Sequence, residues 1–192
     1  MKNLLRIGNN AKKAAQIKID NKTKNKVLEK FLLLIEKNKN KIFFANNKDI
    51  KFAMKKNIPE NLINRLKLDK VKIEDIQQSI YNIKKLEDPT NKVIEKWKRP
   101  NGLLIKKIST PIGVIGVIYE SRPNVTSDVS SLCFKSGNVV ILRGGSEASN
   151  SNLVITNLFR KSLKLNRVSQ NFVQIINNKN RKSVDYMLSN MQ

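Results

Sequence analysis

Histidine is missing from this chain altogether, and cysteine occurs once, at Cys133. A Ser-His-Asp or Cys-His arrangement is therefore impossible within it, and no thiolate or imidazole cluster can gather around a metal such as zinc. A lone thiol forms no internal disulfide, which fits a reducing, cytoplasmic setting. Aromatic residues are sparse, at 6%, and do not alternate with the basic ones. The stacking platforms of single-strand nucleic-acid binders are thus absent. No apolar run approaches the roughly 18–20 residues of a membrane span. The opening MKNLLRIGNNAKKAAQIKID holds no acid before Asp20, but it is Lys-rich rather than Arg-rich and has no Ser. That composition differs from an organellar transit segment, so a first helix of the folded protein is expected there.

What is present in excess is positive charge. Thirty-eight Lys and Arg stand against 15 Asp and Glu, a net charge of +23. A balance this basic raises nucleic acid or an anionic membrane as a partner. Its distribution argues against both. Residues 1–100 carry 26 basic and 11 acidic side chains, residues 101–192 carry 12 and 4, and no tail or stripe concentrates the excess. A solvated basic surface is the simpler reading. At 192 residues the chain fits one domain or two small ones.

Residues 1–88 read as helical. In VLEKFLLLIEKNK, Val27, Leu28, Phe31, Leu32, Leu34 and Ile35 fall near one broad face, with Asn21, Lys22 and Thr23 supplying capping polarity. A further helix is expected over 41–56, where Ile42, Phe43, Ala45, Ile50 and Phe52 recur. Pro59 opens a short one, ENLINRL, as a first-turn proline. VKIEDIQQSIYNIKKL then spaces Val71, Ile73, Ile76, Ile80, Ile83 and Leu86 helically. Asp88-Pro89 ends the pattern. Residues 92–97 and 103–109 read as a β-hairpin turning at Arg99-Pro100-Asn101-Gly102, so 89–110 forms an arm between two regions.

From Thr110 the composition changes. Six of the seven glycines lie between Gly102 and Gly145, and the apolar runs become short and β-branched. Residues 114–120, 138–143 and 172–176 read as buried strands. Residues 126–135, ending at Gly137, then 146–164 and 182–191 read as helices. Strand and helix alternating three times make half of a doubly wound parallel sheet. The fold class is therefore α/β, an N-terminal helical layer and a hairpin arm followed by that half-sheet over 111–192. Ligands of such sheets sit at the carboxyl ends of the strands, here near 120–124 and 143–147.

Two turns there could carry chemistry. In ILRGGSE, Gly144 and Gly145 let backbone N–H groups approach a ligand, and Ser146 is expected to start a helix whose dipole favours an anion. Arg143 adds a fork suited to phosphate. The bland alternative is a glycine turn with a capping Ser and a surface Arg. In YESRPNVT, Asn124 offers a neutral amide donor of the kind that stabilises an oxyanion, or simply caps the next helix. Gly113 and Gly116 frame G-V-I-G inside a strand, not a dinucleotide fingerprint, and are expected to permit close packing. Cys133 sits mid-helix with no adjacent base, as a structural cysteine does.

Residues 111–148, PIGVIGVIYESRPNVTSDVSSLCFKSGNVVILRGGSEA, resemble the signature segment of the gamma-glutamyl phosphate reductases (glutamate-5-semialdehyde dehydrogenases), a branch of the aldehyde dehydrogenase superfamily. The likeness extends through KNKVLEK (24–30), ANNKDI (45–50), NRLKL (64–68) and LEDP (86–89). It implies an aldehyde dehydrogenase-like cofactor domain and reduction of L-glutamyl 5-phosphate to glutamate 5-semialdehyde by NADPH, in proline biosynthesis. Glutamate 5-kinase is then the pathway neighbour, and the full-length family is a homo-oligomer. By position, Arg143 replaces the superfamily's cofactor-contacting Lys and suits the extra phosphate of NADP. Ser146 and Glu147 fall where that turn, with Gly144 and Gly145, meets the adenosine ribose. Asn124 matches the oxyanion-stabilising Asn, and Ser121 and Arg122 share its loop.

The resemblance also implies a nucleophilic Cys in a later segment that has no counterpart here, and a catalytic domain that is absent. The expectation is a truncated reductase, inactive alone. A non-catalytic nucleotide-binding remnant and a basic nucleic-acid binder are the alternatives.

Overall fold

The computed structural model describes residues 2–178, 180 and 182–189. Five helices come first: α1 (Lys2–Ala15), α2 (Asn21–Lys37), α3 (Lys39–Lys55), α4 (Glu60–Leu66) and α5 (Lys70–Lys85). Two of them start at an Asp that the sequence reading passed over. Asp20 caps α2 by accepting from the Thr23 amide at 2.8 Å, and Asp69 caps α5 by accepting from the Lys72 amide at 2.9 Å. A carboxylate at this position satisfies an orphan first-turn N–H and faces the positive helix end. Pro59 occupies the N-cap of α4 rather than its first turn.

The apolar stripe of α2 is buried at Val27, Leu28, Phe31, Leu34 and Ile35, and that of α5 at Ile73, Ile76, Ile80 and Ile83. Val71 and Leu86, expected on the same stripe, are 64% and 52% exposed. Val71 lies roughly opposite the stripe at 3.6 residues per turn. Leu86 is the C-cap, where the backbone has already left the helix.

A hairpin follows, with β1 (Val93–Lys98) antiparallel to β2 (Leu104–Ile108). The reversal closes where the Gly102 amide donates to the Arg99 carbonyl at 2.9 Å. Gly102 has φ +87° there, a conformation that favours glycine.

The second half runs β3 (Val114–Ile118), α6 (Pro123–Lys135), β4 (Val139–Arg143), a 3-10 turn (Ser146–Ala148), α7 (Ser149–Leu165), β5 (Val173–Ile175) and α8 (Lys182–Ser189). The strands form a parallel sheet in the order β3-β4-β5. Two helix starts differ from expectation. α6 begins at Pro123, whose fixed φ suits a first helical residue, so Asn124 lies inside the helix. α7 begins at Ser149, three residues after Ser146, because 146–148 close the tighter 3-10 turn. The expected reach of α8 to Met191 lies outside the described residues.

Helices α2, α6 and α7 meet around a cluster of tilted and edge-on aromatic rings. Phe31 and Phe159 have centroids 4.7 Å apart, and Phe134 touches Phe159 and Phe172 edge-on at 5.8 and 5.5 Å. Helix α3 lies along α7, and α1 packs on β3 and β4. Gly116 does pack closely, since a Cβ there would stand 3.0 Å from Met187 Cε. Gly113 has open space around it, so its φ of +115° requires glycine and packing does not. Among the described residues no helix is long and apolar enough to cross a membrane.

Candidate functional site

The carboxyl ends of β3 and β4 lie side by side, because the two strands pair in parallel through Ile118 and Arg143. The register continues one step further, where the Tyr119 amide donates to the Arg143 carbonyl at 3.1 Å. The loop after β3 (Glu120–Arg122) and the turn after β4 (Gly144–Ala148) therefore face each other.

They are joined by Glu147. Its carboxylate accepts from Ser121 Oγ at 2.7 Å through one oxygen and from Ser146 Oγ at 2.6 Å through the other. Burial pushes this carboxyl up, but the two hydroxyl donors and the nearby Arg143 charge outweigh it and hold it below the usual carboxylate range. Glu147 is thus ionised at neutral pH. Gly145 makes the approach of the two loops possible. A Cβ there would overlap Ser121 Oγ and lie 3.0 Å from the Ser121 amide nitrogen. Gly144 is as crowded, pressed on the Asn152 amide and on the Tyr119 ring, 3.0 Å from its would-be Cβ.

Tyr119 is itself fixed from below. Its hydroxyl shares a 2.7 Å hydrogen bond with Thr126 Oγ1, which donates to Asn152 Oδ1 at 2.9 Å. Burial pushes the Tyr119 phenol up to about 12, so it stays protonated.

Two concavities flank the turn. One, of about 380 Å³, lies between it and α4, lined by Ile58, Leu62, Arg65 and Leu66 on one side and Ser121, Arg122, Gly145 and Glu147 on the other. The other is a narrow crevice at the ends of β4 and β5, where Arg143, Gly144 and Ser146 meet Asn177 and Asn178. Arg143 is 9% exposed and donates through Nη1 to the Gly144 carbonyl. Its Nε is a buried donor that no acceptor meets. Ser131 Oγ and Thr156 Oγ1 are buried without partners as well, so an anion in the crevice would meet the rim of the Arg143 guanidinium rather than this enclosed nitrogen.

The structure thus brings Ser121, Arg122, Gly144, Gly145, Ser146 and Glu147 around one turn, with Arg143 beneath it. Asn124 lines neither concavity. It is exposed on the first turn of α6, and its carbonyl accepts from Ser127 Oγ at 2.7 Å. Asp128, one turn on, accepts from Ser79 Oγ at 2.7 Å. Its carboxyl is pushed up by burial, against hydrogen bonds from Ser79 and Asn124.

Sequence reasoning placed the helix start at Ser146 and expected its dipole to favour an anion. In the structure two first-turn amides of α7, those of Asn150 and Ser151, are taken by Asp49 of α3. The wall formed by α4 was missed as well. Its only sequence signal was the apolar pair Leu62 and Leu66, one helical turn apart.

Cys133 lies in α6 within the core, and burial pushes its thiol up to about 11. No cluster of potential metal ligands exists among the described residues.

No protein-family model matches the chain. Individual proteins do. A gamma-glutamyl phosphate reductase from Thermoanaerobacter sp. is 46% identical over 170 residues, which are 88% of this chain and 41% of that protein. One from Nitratiruptor sp. is 45% identical over 90% of this chain and 42% of its own length. The crystal structure of gamma-glutamyl phosphate reductase from Thermotoga maritima superposes with a TM-score of 0.94 at 35% identity, covering 96% of this chain and 45% of that one. An acetylating aldehyde dehydrogenase from Geobacillus thermoglucosidasius, at 12% identity and a TM-score of 0.73, shares the fold. The chain spans about two fifths of the length of the curated relatives it matches.

Proposed function

We propose that this chain, homologous to gamma-glutamyl phosphate reductases over about two fifths of their length, supplies the cofactor-binding turn of such an enzyme. The reaction is NADPH-dependent reduction of L-glutamyl 5-phosphate to glutamate 5-semialdehyde with release of phosphate. The observation that carries the proposal is the Ser121–Glu147 clamp, which sets the loop after β3 against the turn after β4 at the carboxyl edge of a parallel sheet. Dinucleotides bind at that edge in doubly wound sheets.

Each residue has a task in this reading. Glu147, ionised and already oriented by two hydroxyls, accepts a hydrogen bond from an adenosine ribose hydroxyl. Arg143, which lines the crevice beside the turn, offers its guanidinium charge to phosphate, including the extra phosphate of NADP. Gly144 and Gly145 keep the turn free of side chains, so that the cofactor backbone can approach the main chain. Ser121 and Arg122 border the same cleft. Asn124, exposed at the start of α6 and outside both concavities, takes the oxyanion-donor role by its matched position alone, and that role requires the acyl group to lie on this exposed face of α6. When bound, the nicotinamide supplies the hydride. Cys133 is no candidate for the acyl-accepting thiolate, since a thiol raised to about 11 is protonated at neutral pH. That nucleophile must come from outside these residues, and the 192 residues are expected to bind cofactor without turnover.

The test is equilibrium binding of NADPH and NADH to the wild type and to Glu147→Gln. The substitution keeps one acceptor oxygen and removes the charge, and it should weaken both cofactors. Equal affinity in wild type and variant contradicts the assigned role of Glu147. Tighter binding of NADH than of NADPH contradicts the assignment of NADP.

A further inference from the structure

The ANNKDI stretch gives no site of its own to a sequence reading, yet two of its polar side chains are almost completely buried. Asn46 and Asp49, both 1% exposed, project from α3 into the junction of α4 and α7. Asp49 accepts four hydrogen bonds there. Oδ1 takes the Asn150 amide at 3.1 Å and Asn150 Nδ2 at 2.7 Å, and Oδ2 takes the Ser151 amide and Ser151 Oγ, both at 2.7 Å. The carboxylate therefore caps α7 from another helix, a hundred residues away in sequence. α2 and α5, by contrast, are capped by their own preceding residues, Asp20 and Asp69.

Asn46 works in the opposite direction. Its Nδ2 donates to the Leu66 carbonyl at 2.9 Å and to Ser151 Oγ at 3.1 Å, and its Oδ1 accepts from the Leu68 amide at 2.8 Å. Ser151 Oγ links the two side chains, accepting from Asn46 and donating to Asp49. One buried network thus holds the end of α4 and the beginning of α7. Those are the two supports of the 380 Å³ cleft, since Leu66 lines one wall and Gly145 and Glu147 line the other. The next residue of α7, Asn152, is the one on which Gly144 rests.

We infer that Asn46 and Asp49 form a brace that sets the position of the Gly144–Glu147 turn against α4, and that Asp49 is a positioning residue for the ligand bound there. Cofactor phosphate consequently has no place at the N-terminus of α7, which a protein carboxylate already fills. Phosphate recognition falls to Arg143 and to the backbone of the turn. The ligand part of this inference rests on the function proposed above, whereas the brace itself does not.

The experiment separates the two. Amide hydrogen exchange is measured on the wild type, Asp49→Asn, the milder Ser151→Ala, and Asp69→Ala as a control that removes a helix cap away from the turn. NADPH affinity is measured on the same proteins at a temperature where each is folded. The brace requires faster exchange at 66–68 and 144–151 in Asp49→Asn and, less strongly, in Ser151→Ala, whereas Asp69→Ala, which adjoins 66–68, must leave 144–151 unchanged. Exchange unchanged at those amides overturns it, and should Asp49→Asn fail to fold, Ser151→Ala decides alone. The positioning role requires NADPH binding weakened about tenfold in Asp49→Asn, the scale of a lost charge-assisted network, with wild-type affinity in Asp69→Ala. Normal NADPH affinity in a folded Asp49→Asn overturns that role. If the wild type binds no NADPH, the functional reading has failed, and the exchange pattern still decides the brace.

Discussion

Replacing Gly145 by alanine adds one methyl group at a backbone conformation, φ −56° and ψ 150°, that alanine adopts without strain. Any cost must therefore come from what the methyl meets. It would overlap Ser121 Oγ, and it would stand 3.0 Å from the Ser121 amide nitrogen and 3.1 Å from Glu147 Oε2. Rotating the serine away relieves the first clash but breaks the Ser121–Glu147 hydrogen bond. The second and third involve backbone and a carboxylate held on its other side by Ser146.

Losing a hydrogen bond to a charged acceptor costs about 1.5–3 kcal/mol, and forcing a loop apart by one methyl costs about 1–3 kcal/mol. The stiffer unfolded chain returns about 0.4–1 kcal/mol. A net destabilisation of about 1.5–5.5 kcal/mol follows, or a fall in melting temperature of very roughly 3–20 °C for a chain of this size. Gly8→Ala is the matched control. It lies within α1 with no atom near its would-be Cβ, so alanine should stabilise by about 0.5–1 kcal/mol. Thermal and urea denaturation of the two variants read the difference. A Gly145→Ala protein as stable as wild type would refute the claim that the two loops meet at this glycine.

The buried ion pair of Lys24 and Asp88, 2.8 Å apart with the lysine 1% exposed, makes Lys24→Ala costly. It should lose about 3–5 kcal/mol in urea denaturation. The Asp88 carboxyl is pushed up by partial burial, but hydrogen bonds from Lys24 and Thr90 outweigh this and hold it below its ordinary value of 3.8. Its contribution is accordingly present at neutral pH and lost as pH falls below about 4, a loss that Asp88→Asn should not show in acid titrations of stability. At the alkaline end the sign reverses. The Cys133 thiol, raised to about 11 from 9.0 by burial, stays protonated in the folded chain while the unfolded thiol ionises, so stability should decline as pH rises from 9 toward 11. Cys133→Ala should flatten that decline, and wild-type Cys133 should resist thiol reagents at pH 8 until the protein unfolds.

The fold was legible wherever a local pattern decides it. Short β-branched runs bounded by glycine marked β3 and β4, Asn101-Gly102 marked the hairpin turn, and the isoleucines of α5 marked its buried face. What escaped depends on distant contacts or on geometry within a single turn. Three residues separate Ser146 from the true start of α7, and no periodicity distinguishes a 3-10 turn from a first helical turn. Lys24 and Lys135 look like surface lysines in sequence, yet they are 1% and 2% exposed. Lys135 donates to Asn21, Asn25 and the Lys84 carbonyl, partners 51 to 114 residues away. The turn residues from Arg143 to Glu147 were readable because glycine pairs and a strand end are local signals. The α4 wall and the Asp49 cap were not, since both come from the other half of the chain.

The most direct test of the central claim is a calorimetric titration of NADPH into the chain at moderate salt, with Arg143→Ala and a DNA duplex run in parallel. Saturable NADPH binding that weakens on Arg143→Ala, with no saturable binding of the DNA duplex at the same salt, is the expected result. A folded chain that binds no NADPH, or binds it equally well without Arg143, would contradict the assignment of this turn to the cofactor.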